Sequence, residues 1–463
     1  MTAVASDRTS TPVKVTTPPA AAVIDLLATE GLRGGPRPAL VTGAVGIASP
    51  VAVVGLGYVG LPTALGLAAA GLSVIGVDIS EQRLASVRTG VVDLSPVDRR
   101  RLRVVVAGGQ VALTSRPSDT ATAGAVFICV PTPVDEDLVP DLAPLRAACA
   151  SVVREARPGQ TIVLTSTSYV GTTRDLLIKP LEERGLRVGV DVHVAFSPER
   201  IDPGSTYPIE RVPRVVGGAS PACTEAAVRL LRRLTVAVHR VRDVETAEMS
   251  KLVENTYRAV NIALANEMAD VAGSLGVDIN EVIGAAATKP YGFSAFHPGP
   301  GAGGYGVPGD PHYLLCQLRA AGVTAPVVER AMTAIADRPG RVLARAAAVL
   351  AEAGVDLAGA RVHVVGVAYK PGVEDVRESP AVKIMDRLRA AGATVSFSDP
   401  LVREVTLPGG RVLAASTEPW QDSWDLVLVH TVSAGGDLGW LQQQPRVLDA
   451  TFRLGDLAHR FLV

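Results

Sequence analysis

The run VAVVGLGYVGLPTALGLAAAGLSVIGVD, from Val51 to Asp78, constrains this chain more than any other stretch. Val51–Gly55 is continuously apolar, as a parallel strand buried on both faces requires. A glycine-rich turn follows and opens into an Ala/Leu-rich helical stretch. A second apolar run, LSVIGVD, then ends in Asp78. Together these make a βαβ unit of about 30 residues. Parallel strands need crossover connections that cover the sheet faces, so the chain is committed to an α/β architecture. Further apolar runs at Ala125–Val130, Thr161–Thr167 and Val192–Pro198 alternate with helical patterns and predict a doubly wound parallel sheet.

The pattern changes twice beyond this sheet. From Thr246 to Leu275 one long helical period runs without a strand signal, and Gly292–Pro311 is so rich in Gly and Pro that it reads as a loop. Helical patterns resume at Tyr313–Ala321 and Ala325–Gly354. The α/β alternation then returns with RVHVVGVAY, a helix over Pro380–Ala391, TVSFSDP, WDLVLVHT and RVLDA. The fold class expected is therefore α/β, with two Rossmann-like doubly wound domains joined by a long central helical segment. The expected boundaries are a disordered tail and linker over 1–48 with a short helix at Ala22–Leu32, a nucleotide-binding domain over 49–240, a central helical segment over 241–355 and a C-terminal domain over 356–463. No repeat of 20–50 residues is visible, and the two α/β halves look only loosely alike.

Gly55-Leu56-Gly57-Tyr58-Val59-Gly60 is a G-x-G-x-x-G between strand and helix. Gly55 suits the tight turn, Gly57 the approach of backbone to a pyrophosphate, and Gly60 close packing of helix on strand. The helix N-terminus presents unpaired N–H groups and a partial positive charge to phosphate. Asp78 stands where a carboxylate accepts from a ribose 2′-hydroxyl and repels a 2′-phosphate, which favours NAD over NADP, with Arg83 nearby as a counterweight. Thr132, in Pro131-Thr132-Pro133, falls at the carboxyl edge of the sheet, where ligands of such folds bind. Thr167 ends another strand. Glu199, in FSPERIDPGS, lies just past a third and could orient water, or simply pair with Arg200. Lys251 and Asn255 are four apart on the long helix and so share a face, a pairing that can stabilise a developing oxyanion. In the Gly/Pro-rich loop, Phe296, Gly303, Gly304 and Tyr305 are candidate substrate contacts, and Asp310 is a candidate base or orienter.

Composition excludes other classes of function. Lys and Arg (45) balance Asp and Glu (46), so nothing favours a nucleic acid or an acidic membrane as partner. The four cysteines, Cys129, Cys149, Cys223 and Cys316, form neither a C-x-x-C pair nor a zinc-type cluster. A disulfide framework and a metal site are therefore not expected, and the cytoplasm is the expected compartment. No stretch reads as a membrane span or a secretion signal.

Six blocks, VVGLGYVGLPTALGLAAAGLSVIGVDIS, FICVPTPVDED, FSPERIDPGSTYPIERVPRVVGG, AEMSKLVENTYRAVNIALANE, TKPYGFSAFHPGPGAGGYGVPGDPHYL and GVAYKPGVEDVRESPAVKIMDRL, run in order along the chain. In these the chain resembles the UDP-glucose/GDP-mannose dehydrogenases, and most of all their UDP-N-acetylglucosamine 6-dehydrogenase branch. The resemblance implies an NAD domain, a central helix at a homodimer interface, a C-terminal domain holding the nucleotide of a UDP-sugar, and oxidation of the sugar C6 alcohol to an acid with two NAD consumed. It implies catalytic roles for Glu199, Lys251, Asn255, Asp310 and Thr167. It also places Lys370 near the substrate and Arg377 near the cofactor.

The chain departs from the family pattern within the Gly/Pro-rich loop, where Gly309 also replaces the bulkier residue expected before Asp310. The family loop reads Gly-Gly-His-Cys, and its cysteine is the nucleophile. Here the residues are Gly303-Gly304-Tyr305-Gly306, so Gly306 stands at the cysteine position and Tyr305 at the histidine position. The family's second oxidation passes through a thiohemiacetal and a thioester, which need a thiol; its first oxidation does not. Three readings follow: an oxidoreductase that stops after one hydride transfer, a two-step dehydrogenase with a non-cysteine route, and a binding protein that keeps only the nucleotide sites.

Overall fold

The computed structural model describes residues 49–463 except 93, 95, 136, 137, 203–206, 208 and 456. The expected tail, short helix and linker up to residue 48 lie outside the described residues. The chain divides into two compact units, one running to Thr256 and including Gly309–Thr324, the other made of Tyr257–Pro308 and Ala325–Val463. Each is described by itself.

The first unit is built on eight strands: β1 (Val51–Val54), β2 (Val74–Val77), β3 (Val111–Thr114), β4 (Ala125–Ile128), β5 (Thr161–Leu164), β6 (His193–Phe196), β7 (Arg214–Gly218) and β8 (Val238–Arg240). Their order is β3-β2-β1-β4-β5-β6-β7-β8. β1, β4 and β5 are buried at every position, which is why they read as unbroken apolar runs. One face of the sheet is covered by α1 (Gly60–Ala69), α2 (Glu81–Thr89), α3 (Pro96–Ala107) and the later helix Pro221–Leu231; the other face is covered by α4 (Ala143–Glu155) and α5 (Lys179–Glu183). Pro221–Leu231 is α6; Ser220 caps it by accepting from Cys223 N, and proline occupies its first position. The direction of winding reverses between β1 and β4. The carboxyl ends of those two strands therefore frame the crevice where open α/β sheets bind ligands.

The sheet is not wholly parallel as expected, because β7 runs antiparallel to β6, with Phe196 opposite Gly217. Among the described residues between them, the helical element is a three-residue 3₁₀ turn, Ile209–Arg211. Antiparallel neighbours, unlike parallel ones, need no crossover helix.

Helix α7 (Val244–Ser274) contributes residues to both units, as does α9 (Gly306–Ala320), with α8 (Ile279–Ala287) between them and α10 (Pro326–Glu352) after them. The Gly/Pro-rich loop ends sooner than its composition predicts: α9 starts at Gly306, before Pro308 and Pro311. N–H groups in a helix's first turn have no intrahelical acceptor, so a proline at 308 costs no hydrogen bond and does not delay the start.

The second unit holds a parallel five-stranded sheet. Its strands are β9 (Arg361–Val365), β10 (Thr394–Ser398), β13 (Leu426–Val429), β14 (Val447–Asp449) and β15 (Arg460–Leu462), in the order β10-β9-β13-β14-β15. A small hairpin, β11 (Glu404–Thr406) with β12 (Val412–Ala414), stands beside it. α11 (Pro380–Ala390), capped by Ser379, packs with α10 on the sheet.

Candidate active site

The turn after β1 is shaped by what glycine lacks. Gly55 has φ +87°, and a Cβ there would come within 2.8 Å of the Cys129 carbonyl oxygen. A Cβ on Gly60 would collide with the Gly55 carbonyl, so the helix can sit this close to the turn only without a side chain. Gly57 differs from both, because nothing lies within 4 Å of its missing Cβ. The turn is therefore tight on its protein side and open on the other. Val59, at the N-cap of α1, supplies no capping side chain, so the helix N-terminus keeps its affinity for an anion.

Asp78, just past β2, accepts from Leu56 N at 2.8 Å through Oδ2 and from Ser80 N at 2.9 Å through Oδ1. A carboxylate has about four acceptor positions, so two remain for ribose hydroxyls. Arg83 Nε donates to the Leu56 carbonyl at 2.8 Å, which holds its guanidinium beside the same turn. At the end of β4, the Tyr313 hydroxyl lies against Thr132. The half-buried Tyr58 completes the turn. An open glycine turn, an uncapped helix N-terminus and a half-satisfied acid fit an adenine dinucleotide.

The reactive side chains gather on α7 and α9 within the same unit. Asn255 is buried and donates through Nδ2 to Asp310 Oδ2. Burial pushes the Asp310 carboxyl up to about 6, against the opposing pull of the Lys251 ammonium and the Asn255 hydrogen bond. Asp310 is thus a buried acid that titrates close to neutrality, with a cation and an amide donor at hand.

Glu199 is also buried. Its partner is Arg214 of β7, at 2.8 Å, rather than Arg200; Oε1 meanwhile accepts from Arg200 N at 2.8 Å and Ile201 N at 2.9 Å. Arg200 pairs with Glu254. No spacing in the sequence pointed to Arg214, because the pair forms across neighbouring strands. Thr167 is half-buried, beyond the carboxyl end of β5.

The remaining candidates lie in the second unit. Gly303 sits so close to Tyr369 that a Cβ would collide with it, and Gly304, at φ +74°, donates to the Arg377 carbonyl at 3.0 Å. The Arg377 guanidinium lies over the Tyr305 ring, 4.7 Å from its centre, and Asp375 holds it through Nε at 2.9 Å. Asp375 is not among the candidates the sequence offers, and its two-residue offset from Arg377 is the signal that points to it. Phe296 packs edge-on against Tyr257 at 5.8 Å, and Lys370 is half-buried. Among the described residues no group of His, Cys, Asp or Glu could hold a metal, and no helix is long and apolar enough to cross a membrane.

Three family models cover most of the described chain. They are the NAD binding domain (residues 49–235), the central domain (245–334) and the UDP binding domain (363–434) of the UDP-glucose/GDP-mannose dehydrogenase family. The chain belongs to this family. It is accordingly an NAD-dependent nucleotide-sugar dehydrogenase, and its glycine turn lies in the family's NAD binding domain.

Relatives within the family agree. A UDP-N-acetyl-D-mannosamine dehydrogenase of Pyrococcus horikoshii is 37% identical over 359 residues, covering 76% of this chain and 84% of that protein. A UDP-N-acetyl-D-glucosamine 6-dehydrogenase of Pseudomonas aeruginosa is 32% identical over 355 residues, covering 76% and 83%. The solved structure of the UDP-D-ManNAc dehydrogenase from Pyrococcus horikoshii superposes with a TM-score of 0.81 at 31% identity, over 89% of this chain and 98% of that one.

Proposed function

We propose that this dehydrogenase oxidises a CH–OH group of a UDP-hexose or UDP-N-acetylhexosamine and stops after one hydride transfer. The observation that carries this reading is the pairing of Asn255 and Asp310 beside Lys251, in a chain whose residue 306 is glycine. The substrate class rests on relatives that act on UDP-N-acetylhexosamines.

Gly55, Gly57, Tyr58, Val59 and Gly60 hold the pyrophosphate of NAD, Asp78 and Arg83 its adenosine ribose, and Thr132 and Arg377 further parts. Bound NAD supplies the hydride acceptor. Asp310, ionised above pH 6, accepts the proton of the alcohol. Asn255 holds that carboxylate in one orientation, and Lys251 stabilises the oxygen as charge develops on it. Glu199, held by Arg214, and Thr167 handle water. Phe296, Gly303, Gly304, Tyr305 and Lys370 contact the nucleotide sugar.

A second oxidation by the thioester route needs a thiol, and the four present are badly placed to supply one. Cys129, Cys149 and Cys223 are buried in the first unit. Burial pushes the Cys129 and Cys149 thiols up to about 12, so neither is a thiolate at neutral pH. Cys316 lies ten residues beyond Gly306, along α9.

The division into a tail over 1–48, an NAD domain over 49–240, a central segment over 241–355 and a nucleotide-sugar domain over 356–463 belongs to the same reading. So does a cytoplasmic homodimer: Tyr257, Leu264, Met268, Val271 and Leu275 expose large apolar side chains at helical spacing, and a second copy would cover them.

The test is incubation with a panel of UDP- and GDP-sugars and NAD, followed by mass spectrometry of the products. NADH together with a sugar two hydrogens lighter supports the reading. A uronic acid points to a non-cysteine route, and no NADH with any sugar points to a binding protein.

A further inference from the structure

Two side chains next to the reactive cluster have no part in the reaction described so far. Glu248 precedes Lys251 by three residues and Asn255 by seven, so all three lie on one face of α7. Gln317 follows Asp310 by seven residues, two turns along α9. Both reach the same stretch of backbone.

Glu248 is 1% exposed. Its Oε2 accepts from Gly171 N at 2.6 Å, and its Oε1 accepts from Thr173 N at 2.8 Å and Thr173 Oγ1 at 2.6 Å. Gln317 grips Val170 by both backbone groups: Oε1 accepts from Val170 N at 3.1 Å, and Nε2 donates to Val170 O at 2.7 Å. The groups at 170, 171 and 173 are thus held by side chains from two helices where a strand would hold them by a ladder.

The segment they hold starts at the carboxyl end of β5 and carries Thr165, Ser166, Thr167 and Ser168. It leads into a π-turn, Arg174–Ile178, a conformation that is rare and concentrated at functional sites. Arg174 of that turn pairs with Glu245, one turn before Glu248 on α7, at 2.7 Å.

We infer that Glu248 and Gln317 are positioning residues, a two-sided clamp that fixes the segment 165–173, which carries Thr167, relative to the helices that bear Lys251, Asn255 and Asp310. The inference rests on the proposed hydride transfer for what the clamp serves, but its geometry stands independently. A buried carboxylate is costly unless satisfied, and here two amides and a hydroxyl satisfy it. Asn255–Asp310 and the clamp therefore tie α7 and α9 to a common frame at two levels, two turns apart. Misplacement by about 1 Å far from the chemistry can lower a rate on the order of a hundredfold.

The test uses Glu248→Gln, Gln317→Ala, Thr173→Val and Thr173→Ser in the full chain, read by steady-state kinetics and by hydrogen exchange of the backbone over 165–173. Glu248→Gln turns one acceptor into a donor facing an N–H. It is expected to speed exchange at Gly171 and Thr173 and to lower kcat about 10- to 100-fold, with NAD affinity and the apparent pKa of kcat unchanged. Gln317→Ala should do the same at Val170. Thr173→Val, which removes a single donor and leaves the chain folded, should lower kcat a few-fold, and Thr173→Ser should restore it. Unchanged exchange in Glu248→Gln and Gln317→Ala overturns the clamp. Faster exchange with unchanged kcat overturns the positioning role, as does loss of the pH dependence in Glu248→Gln, which would make Glu248 a proton acceptor. If the unsubstituted enzyme forms no NADH with any nucleotide sugar, the proposed reaction falls and the positioning role with it, while the exchange data still report on the clamp.

Discussion

The turn after β1 and the turn after β9 are built alike, yet only the first is left open. Gly55 N donates to the Val77 carbonyl at 2.8 Å; Gly366 N donates to the Ser398 carbonyl at the same distance. Asp78 follows β2 and accepts from Leu56 N at 2.8 Å, and Asp399 follows β10 and accepts from Val367 N at 2.8 Å. Both glycines have positive φ, and a Cβ on either would strike a carbonyl of the strand across the winding reversal, that of Cys129 or of Thr431.

The two acids then diverge. Asp399 also accepts from Ala368, Leu401 and Val402, so all its acceptor positions are occupied by its own chain. Among the described residues, Asp78 takes one further bond, from Ser80. In the first sheet a helix starts five residues beyond Gly55, whereas in the second α11 waits until Pro380. The same supersecondary unit thus keeps acceptor positions open in one place and is closed by its own chain in the other. The difference lies in how many backbone N–H groups the acid must satisfy.

The largest effect is expected where the first unit carries chemistry that the second lacks. Asp310→Asn should lower kcat about a thousandfold and at the same time stabilise the fold at neutral pH. The folded state holds the Asp310 proton up to about pH 6, while an unfolded aspartate loses it near 3.8. The folded state thus binds more protons within that window, and stability falls as pH rises through it. Above it the penalty is about 3 kcal/mol. Urea unfolding of both proteins at pH 5 and pH 7.5 would show the gap widening with pH. In the unsubstituted enzyme kcat should rise with pH through the same value.

Next comes Gly366→Ala, which forces a Cβ into the Thr431 carbonyl at φ +75°. It should cost about 3 kcal/mol of stability and leave NAD affinity alone. A fall in NAD affinity without a loss of stability would break the distinction between the two turns. The acids give the sharper pair. Asp399→Asn should cost about 2 kcal/mol, since an amide nitrogen must face backbone N–H groups. Asp78→Asn should weaken NAD binding about tenfold in calorimetric titration and narrow the preference over NADP. Gly57→Ala should have the smallest effect on stability, within about 0.5 kcal/mol, because its Cβ enters open space; its cost should appear in NAD affinity alone.

Much of this was legible in the residues. The β1–α1–β2 unit was readable because a parallel strand buried on both faces leaves an unbroken apolar run, and α7 because it is long. The kinship of the two halves was not readable. It resides in hydrogen-bond register, Val54 beside Val77 and Val365 beside Ser398, and the intervening sequences share little. The start of α9 was hidden by glycines and prolines that a first helical turn tolerates. The Glu199–Arg214 pair was hidden because it joins elements that only the sheet brings together. The grouping of Lys251 and Asn255 was visible from helical spacing; that Asp310 meets them was not, since 55 residues separate it from Asn255.

In the proposed reaction, a chain with glycine at 306 removes one hydride per sugar. The direct measurement is the ratio of NADH formed to UDP-N-acetylhexosamine consumed, for the unsubstituted enzyme and for Gly306→Cys, with an aldehyde-trapping amine in parallel. A ratio of one and a trapped carbonyl sugar are expected for the first, and a ratio approaching two with a uronic acid for the second. Two NADH per sugar from the unsubstituted enzyme would contradict it.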